Sequence, residues 1–414
     1  MTMFKPLLAS AALALLFAGC GDNGNRTIYY PVDNYKTGRF IDAGVEGLRY
    51  EGSSGKNGLT KKGGAFTYRF SDTITFYIGN LRIGSTLAVS TLTPKEIAAF
   101  ETGDPFVSLH DNAVINRVRL LLSLDANTTA GIQIGPDTQA KAEHWDTPDY
   151  NLSIAAFTDD VRRATKGDVT ALVSRQRAIT HFENALRCIY SGGYRGQWHL
   201  PDGQRSGFVG VLIQSDGGIV AMGDGQQIGE NNNTVIYAAG EHDMDSGTYT
   251  FVNSTYYFDP EKGQIIPGPP TDISGEGKSV GYDKVEGNFT QNGQTGIYTA
   301  YRVGRGSDTA YRYTGFGFQN DDSLIGIFTL DMNRNGHVVG MIHDARSDAQ
   351  PEITGTVDYE SGDVNLSIAN ASNTQLFGRI DFQHFDGNLS LSWKDRNGTG
   401  LGYARGVGCQ LQAP

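Results

Sequence analysis

The sequence predicts a mainly β protein: a small N-terminal β-sandwich, a short α-helical connector, and two tandem antiparallel β-barrel or sandwich repeats. Three observations carry this. The 54 glycines stand with 40 Phe and Tyr side chains and only 19% charged residues, a composition of short strands and tight turns. Helical periodicity is confined to one stretch, Thr93 to Tyr190. The C-terminal half repeats itself. The predicted segments are 1–19 (export signal), 20–36 (tether), 37–92 (sandwich), 93–187 (helical connector), 188–309 (first repeat) and 310–414 (second repeat).

Lys5 is followed by an uncharged run, Pro6 to Gly19, that ends in two small residues before Cys20. A basic start, an apolar segment and a small-residue cleavage site make an export signal. The run is shorter than the ~20 residues a membrane-spanning helix needs. Leu16-Phe17-Ala18-Gly19-Cys20 resembles the lipobox of bacterial lipoproteins, with Phe17 where leucine is usual. The resemblance implies that the Cys20 thiol takes a diacylglyceryl group and that Cys20 becomes the mature N-terminus. An ordinary cleaved signal with an incidental cysteine is the alternative. Gly21 to Lys36 is polar and rich in Gly, Asn and Asp, and reads as a tether holding the first domain ~20–25 Å from the anchor. Glycine rather than aspartate follows Cys20, which by the same resemblance favours the outer membrane.

Val45 to Tyr50, Ala65 to Phe70, Thr73 to Gly79 and Leu81 to Gly84 read as strands, with Phe66, Tyr68 and Phe70 on one face by the period of two. The turn Thr60-Lys61-Lys62-Gly63-Gly64-Ala65-Phe66 before the aromatic strand resembles that of transthyretin-like, carboxypeptidase-regulatory modules, with Lys61 in place of the usual aspartate. Such modules are structural or adhesive. Pro94 after Thr93 signals a helix start for Lys95 to Phe100. Asn112 to Leu124 and Ser174 to Ile189 carry apolar residues at spacings of three and four, as buried helix faces do.

The internal duplication pairs Gly240–Gly247 with Gly355–Gly362, Gly287-Asn288 with Gly387-Asn388, Thr295-Gly296 with Thr399-Gly400, and Val303-Gly304 with Val407-Gly408. The opening pair is read as Tyr190-Ser191-Gly192 with Tyr313-Thr314-Gly315. Alternating strands between Gly, Asn and Asp turns suit a closed antiparallel meander, which leaves no exposed edge. Cys188 and Cys409 bracket this region and are expected to form a disulfide in an exported chain; two separate buried thiols are the alternative.

The mature chain carries 33 basic against 45 acidic side chains, a net charge of −12. That sign repels phosphate backbones, so nucleic acid is not an expected partner. It also predicts no electrostatic help in binding anionic lipid, so the acyl chains would hold the membrane.

Several motifs imitate chemistry. Gly277-Lys278-Ser279-Val280-Gly281 spells the G-x-S-x-G of a nucleophile elbow, but an elbow needs a strand-to-helix turn. Asp331-x-Asn333-x-Asn335-Gly336 copies half a calcium loop but has Ile342 at the twelfth position, so a hairpin is expected. Asp125-Ala126-Asn127 is a shorter fragment of that kind. His337 and His343 are too few for a zinc shell and are expected at the surface. Asp243 and Asp358, with Asp245 and Glu360, form the acidic pattern shared by both repeats, and suit either hairpin connectors or paired carboxylates for glycosidic chemistry. Of the strand aromatics that could stack on sugars (Tyr194, Trp198, Tyr249, Tyr256, Tyr257, Trp393), most are expected in the core.

The expected function is a lipid-anchored cell-envelope protein with a non-catalytic binding, adhesive or structural role. Its partners would be the membrane, through the lipid, and an envelope protein or glycan. No catalytic, cofactor-binding or metal-binding residue is expected. The alternative is an envelope hydrolase acting on glycans through the shared carboxylates.

Overall fold

The structure, a computed structural model, describes residues 34–411 apart from 127–130, 202, 204–205, 225–234, 260–263, 292, 304–308, 323, 345–350, 370–373, 381, 383–387 and 395–396. Cys20 and most of the tether therefore lie outside the described residues, as do the side chains of Tyr256 and Tyr257.

The N-terminal part is built from β1 (Tyr35–Phe40), β2 (Val45–Glu46), β3 (Arg49–Gly52), β4 (Asn57–Leu59), β5 (Ala65–Arg69), β6 (Thr73–Ile78), β7 (Leu81–Leu87), β8 (Thr91–Leu92) and β9 (Ile132–Gln133). They form three small sheets, ordered β5-β1-β8, β4-β3-β6-β7 and β2-β9. Phe40, Phe66 and Phe76 meet between the larger two, with ring centroids 4.7 Å apart for Phe40–Phe76 and 5.4 Å for Phe66–Phe76. Thr60 fixes the turn before β5: its hydroxyl donates to Val45 O (2.7 Å) and accepts from Leu48 N (2.9 Å). Phe66 and Tyr68 point into the core as the alternation predicts. Phe70 does not. Strand β5 ends at Arg69, so Phe70 lies past the pleat and is 81% exposed.

Among the described residues five α-helices follow: α1 (Pro94–Thr102), α2 (Asn112–Ser123), α3 (Pro136–Ala142), α4 (Ile154–Ala164) and α5 (Arg175–Tyr190). The predicted starts hold. Thr93 caps α1 through a reciprocal box with Glu96, and Ser174 caps α5. α2 has two apolar sides. Leu120 and Leu121 join the sheet core with Trp145, Tyr150 and Phe157, while Val114, Ile115 and Val118 meet α5 and the first barrel. The helical stretch thus completes the N-terminal core as well as linking it onward.

Two closed eight-stranded barrels follow in sequence. Barrel 1 runs β10 (Gly192–His199), β11 (Ser206–Ile213), β12 (Gly218–Asp224), β13 (Val235–His242), β14 (Thr248–Asp259), β15 (Gln264–Val280), β16 (Lys284–Gln291) and β17 (Gln294–Arg302). Barrel 2 runs β18 (Thr309–Gln319), β19 (Leu324–Asn333), β20 (His337–Asp344), β21 (Glu352–Val357), β22 (Asp363–Ile368), β23 (Gln375–Arg379), β24 (Asn388–Lys394) and β25 (Gly400–Gln410). Both are up-and-down meanders whose first and last strands pair, so neither has an edge. The duplicated Gly240–Gly247 and Gly355–Gly362 segments both span the connection from the fourth strand to the fifth. The opening match does not survive: Tyr190 is the last residue of α5, whereas Tyr313 lies inside β18. A local Tyr-x-Gly similarity had stood in for structural equivalence.

The barrels meet wall to wall. Leu212, Val220 and Met222 on the outside of β11 and β12 bury against Phe316, Phe318 and Ile327 of β18 and β19. Cys188, near the end of α5, is bonded to Cys409 in β25, with Cα atoms 5.5 Å apart. The staple joins the helix beneath barrel 1 to the closing strand of barrel 2, and it encloses 221 residues of separation.

Candidate functional site

Both barrels are filled. Tyr194, Trp198, Val211, Phe251, Phe289 and Tyr298 occupy the inside of barrel 1, where a remnant of about 40 Å³ is left beside Gln291. Barrel 2 is filled by Tyr313, Leu330, Leu366, Leu391 and Trp393 among others. Interior space of that size suits water at most. The aromatics Tyr194, Trp198, Tyr249 and Trp393 are all buried, as most were expected to be.

An open cleft of about 1060 Å³ lies on the outer wall of barrel 1, across β13 to β17. One rung of the sheet explains its shape. His242 pairs with Tyr249, Tyr249 with Gly277, Gly277 with Gly287, and Gly287 with Tyr298. The two glycines point inward, where the tyrosine rings take the space their side chains would fill. A Cβ at Gly277 would stand 2.5 Å from both the Tyr249 and the Tyr298 hydroxyls. Those hydroxyls hydrogen-bond each other at 2.8 Å, and burial raises the pKa of both phenols. The backbone of Gly277 and Gly287 forms part of the cleft wall. Glu241, Thr250, Glu276, Lys278 and Asn288 stand exposed around it, with Glu286, Thr299 and the apolar Ile297 alongside. Glu286 is held by Lys284 (2.6 Å) and Lys278 (3.6 Å). The Lys284 hydrogen bond keeps the Glu286 carboxyl below its ordinary range, and Glu286 in turn raises Lys284. The cleft therefore offers carboxylates, hydroxyls, an amide and ammonium groups at hydrogen-bonding positions, without an exposed aromatic ring.

At one end of the same rung, His242 Nε2 lies 2.9 Å from Ser279 Oγ. Ser279 is the serine of the G-x-S-x-G motif, and sequence reasoning did not foresee its partner. Histidine 37 positions away gives no periodic signal; only the barrel closes that distance. The pair is not a nucleophile–base couple. Burial pushes the His242 imidazole down to about 4, far from the near-neutral value a general base requires. Its Nδ1 has no hydrogen-bond acceptor among the described residues, so nothing orients the ring as a third triad member would. Ser279 lies on β15, not on a strand-to-helix turn. The hydrogen bond ties β13 to β15, and Tyr190 and Tyr249 cover the ring with centroids at 4.8 and 6.0 Å.

The shared carboxylates serve turns. Asp243 Oδ1 accepts from the amides of Asp245 (2.8 Å) and Ser246 (3.2 Å), and Asp358 Oδ1 accepts from Glu360 (2.8 Å) and Ser361 (3.2 Å) in the same geometry. Asp245 locks α1 and the loop that joins it to α2 onto barrel 1, accepting from Ser108 Oγ (2.6 Å) and Leu109 N (2.6 Å) and pairing with Lys95. Burial raises its pKa, but these hydrogen bonds and Lys95 outweigh that and lower it. Asp243, Asp245 and Asp358 are therefore engaged in holding a backbone, while Glu360 is exposed and contributes its amide to the Asp358 turn.

The remaining motifs resolve in the same way. Asp331 is buried against Arg312 (2.6 Å), and Asn333 Oδ1 accepts from Asn335 N and His337 N in the β19–β20 hairpin, so this loop is a turn. Asp125 Oδ1 accepts from Gln133 N, and Asn127 lies outside the described residues. His337 is exposed, but His343 is not at the surface as expected. It is buried in the wall between the barrels, 4.8 Å from the Phe208 ring. Among the described residues no group of three His, Cys, Asp or Glu could hold a metal ion, and no helix is long and apolar enough to cross a membrane.

The sequence matches no protein-family model and no curated protein. Among solved structures it is similar to a porin-like protein from Bacteroides uniformis, at 10% identity and a TM-score of 0.24 over 53% of this chain and 95% of that one. It is also similar to a mutant Transferrin Binding Protein B from Haemophilus parasuis, at 9% identity and a TM-score of 0.19 over 53% of this chain and 76% of that one. A protein of unknown function from Nostoc punctiforme is similar at 8% identity and a TM-score of 0.17, over 55% of this chain and 98% of that one.

Proposed function

We propose that this chain is a lipid-anchored protein of the bacterial cell envelope that binds a polar ligand, a glycan or a hydrophilic protein surface, on the outer wall of barrel 1. The observation that carries the reading is the cleft across β13–β17. It is an open concavity of about 1060 Å³, is fenced by exposed polar groups, and lies over a barrel whose described side chains leave about 40 Å³ beside Gln291. The non-catalytic character is supported by the engagement of Asp243, Asp358, His242 and Ser279 in structural hydrogen bonds. The anchor rests on Lys5, the apolar run to Gly19, and Cys20. The N-terminal sheets, with the Thr60-locked turn, support a transthyretin-like structural module that carries the barrels away from the membrane. The disulfide accords with an oxidising compartment outside the cytosol.

Two measurements test this. Mass spectrometry of the protein from its native host should find acylated Cys20 at the N-terminus; an intact Met1 or an unmodified first residue refutes the anchor. Titration with a panel of envelope glycans and envelope extract should give ligand-dependent protection from hydrogen exchange in residues 276–288, lost in Glu276→Ala with Asn288→Ala. Protection elsewhere, unaffected by that double variant, refutes the cleft.

A further inference from the structure

We infer that the N-terminal domain docks directly onto an anionic lipid surface, through a basic and aromatic patch at the point where the tether enters the fold. The patch is assembled by the pairing of β1 with β5, which puts Tyr35 opposite Arg69 and Lys36 opposite Tyr68. Arg69 and Lys56 both lie over the Tyr35 ring, at 4.6 and 5.1 Å from its centroid, and Lys36 lies 5.6 Å from the centroid of Phe70. Three cations and two aromatic rings are thus gathered from three separated segments, 35–36, 56 and 69–70. Phe70 is among the most exposed large apolar side chains described, at 81%, and it projects from the turn beyond β5. An exposed ring among cations is costly in water and well placed at a headgroup boundary, where its apolar body and the neighbouring charges both find partners.

Asp72 lies beside the patch, and its one negative charge leaves Lys36 and Lys56 in excess. Asp72 is buried, and its carboxylate is turned onto Arg69 N (2.8 Å), Ser54 N (2.9 Å) and Ser54 Oγ (2.8 Å). The net charge of −11, or −12 without Lys5, predicts repulsion from anionic lipid, but a membrane's surface potential decays within about 10 Å at ordinary salt. Local charge within that layer therefore decides the orientation, and the acidic remainder then favours the patch-down arrangement over any other.

The location of the patch selects the occupant. Tyr35 stands only 15 positions after Cys20, so even a fully extended segment cannot carry Tyr35 beyond ~50 Å from the acylated residue. This orientation rests on the proposed anchor, but the docking chemistry does not, and the two can be separated.

The test uses unacylated residues 21–414 with vesicles of phosphatidylcholine alone or mixed with phosphatidylglycerol. The protein should sediment with the anionic vesicles at low salt, and should be released by high salt and by phosphatidylcholine. Lys36→Glu with Lys56→Glu should weaken the partition at least ~10-fold with an unchanged thermal midpoint, and Phe70→Ser should weaken it less. Lys278→Glu with Lys284→Glu makes the same change in net charge on barrel 1 and should have the smaller effect. Equal binding to both vesicle types, or equal loss in the two lysine pairs, overturns the inference. An unacylated Cys20 in the native host would remove the anchor while leaving the vesicle result intact.

Discussion

Arg302 and Arg312 donate to the same acceptor, the carbonyl oxygen of Ser191, from two different barrels. Arg302 closes the last strand of barrel 1 and also reaches the carbonyls of Ile189 (2.7 Å) and Tyr190 (3.0 Å). Arg312, in the first strand of barrel 2, reaches Cys188 O (3.1 Å) and is paired with Asp331. The last turn of a helix presents carbonyls with no intrahelical partner and carries the negative end of the helix dipole. Two guanidinium groups satisfy that end of α5, beside the disulfide at Cys188. Burial lowers the Arg302 pKa to about 10, and burial opposes the charge of Arg312, but Asp331 raises it.

Arg312→Met should destabilise the protein by about 3–5 kcal/mol, because it strands Asp331 as an unpaired buried charge and frees the helix carbonyls. Arg312→Met with Asp331→Leu should recover part of that loss. Denaturant midpoints of the three proteins check both statements. Equal stability of the single and double variants would place the cost elsewhere.

Reduction, or Cys188→Ser with Cys409→Ser, should lower stability by roughly 5 kcal/mol on the loop-entropy estimate for a 221-residue separation. The measurement is guanidinium unfolding with and without a reductant. A shift below one kcal/mol (about a fivefold change in the equilibrium) would mean that the barrel wall and the arginine pair already fix α5.

Gly277→Val should cost about 1–3 kcal/mol by overpacking the inner face against the Tyr249 and Tyr298 hydroxyls. Gly400→Ala, with open space around its Cβ position, should be near neutral. Thermal unfolding of the two variants reads the difference, and similar midpoints would argue against the tyrosine-filled rung.

His242 is neutral when folded and titrates at about 4, whereas the unfolded chain takes its proton near 6.5. Between those values the unfolded state binds more protons, so stability falls as pH drops from about 6.5 to about 4. His181 acts in the opposite sense. Burial lowers its pKa, but Asp42 more than offsets this and raises it, so its contribution is present at low pH and is lost as pH rises through the folded value. His242→Phe should therefore flatten the acid limb of the stability profile. An unchanged limb would show that carboxylates alone govern it.

Fluorophosphonate probes should leave Ser279 unlabelled, and Asp243→Asn with Asp358→Asn should change neither fold nor any glycan turnover, since an amide oxygen still accepts the two turn hydrogen bonds. Labelling of Ser279 at neutral pH would reopen the catalytic reading that the low pKa of His242 closes.

Local chemistry determined much of this protein from sequence alone. Strand alternation, glycine turns and the repeated Gly-x-x-Asp-x-x-Ser-Gly segment specify two β repeats, because turn geometry and the period of two are properties of neighbouring residues. Thr93 and Ser174 announce their helices, because a cap acts within three positions. With Cys20 assigned to the anchor of an exported chain, Cys188 and Cys409 were the expected pair, and the two are bonded. What the sequence withheld is everything that depends on strands far apart meeting in one sheet: His242 against Ser279, the tyrosines packed over Gly277 and Gly287, two barrels' arginines on one carbonyl, and His343 buried between walls. The basic patch belongs to that group. Tyr35, Lys36, Lys56 and Arg69 look unremarkable in a chain of net charge −11, and become one surface only through the register of β1 on β5 and the folding back of Lys56. Charge sums have no coordinates, and surface electrostatics acts over about one Debye length, so only the tertiary structure could decide which face of an acidic protein is positive.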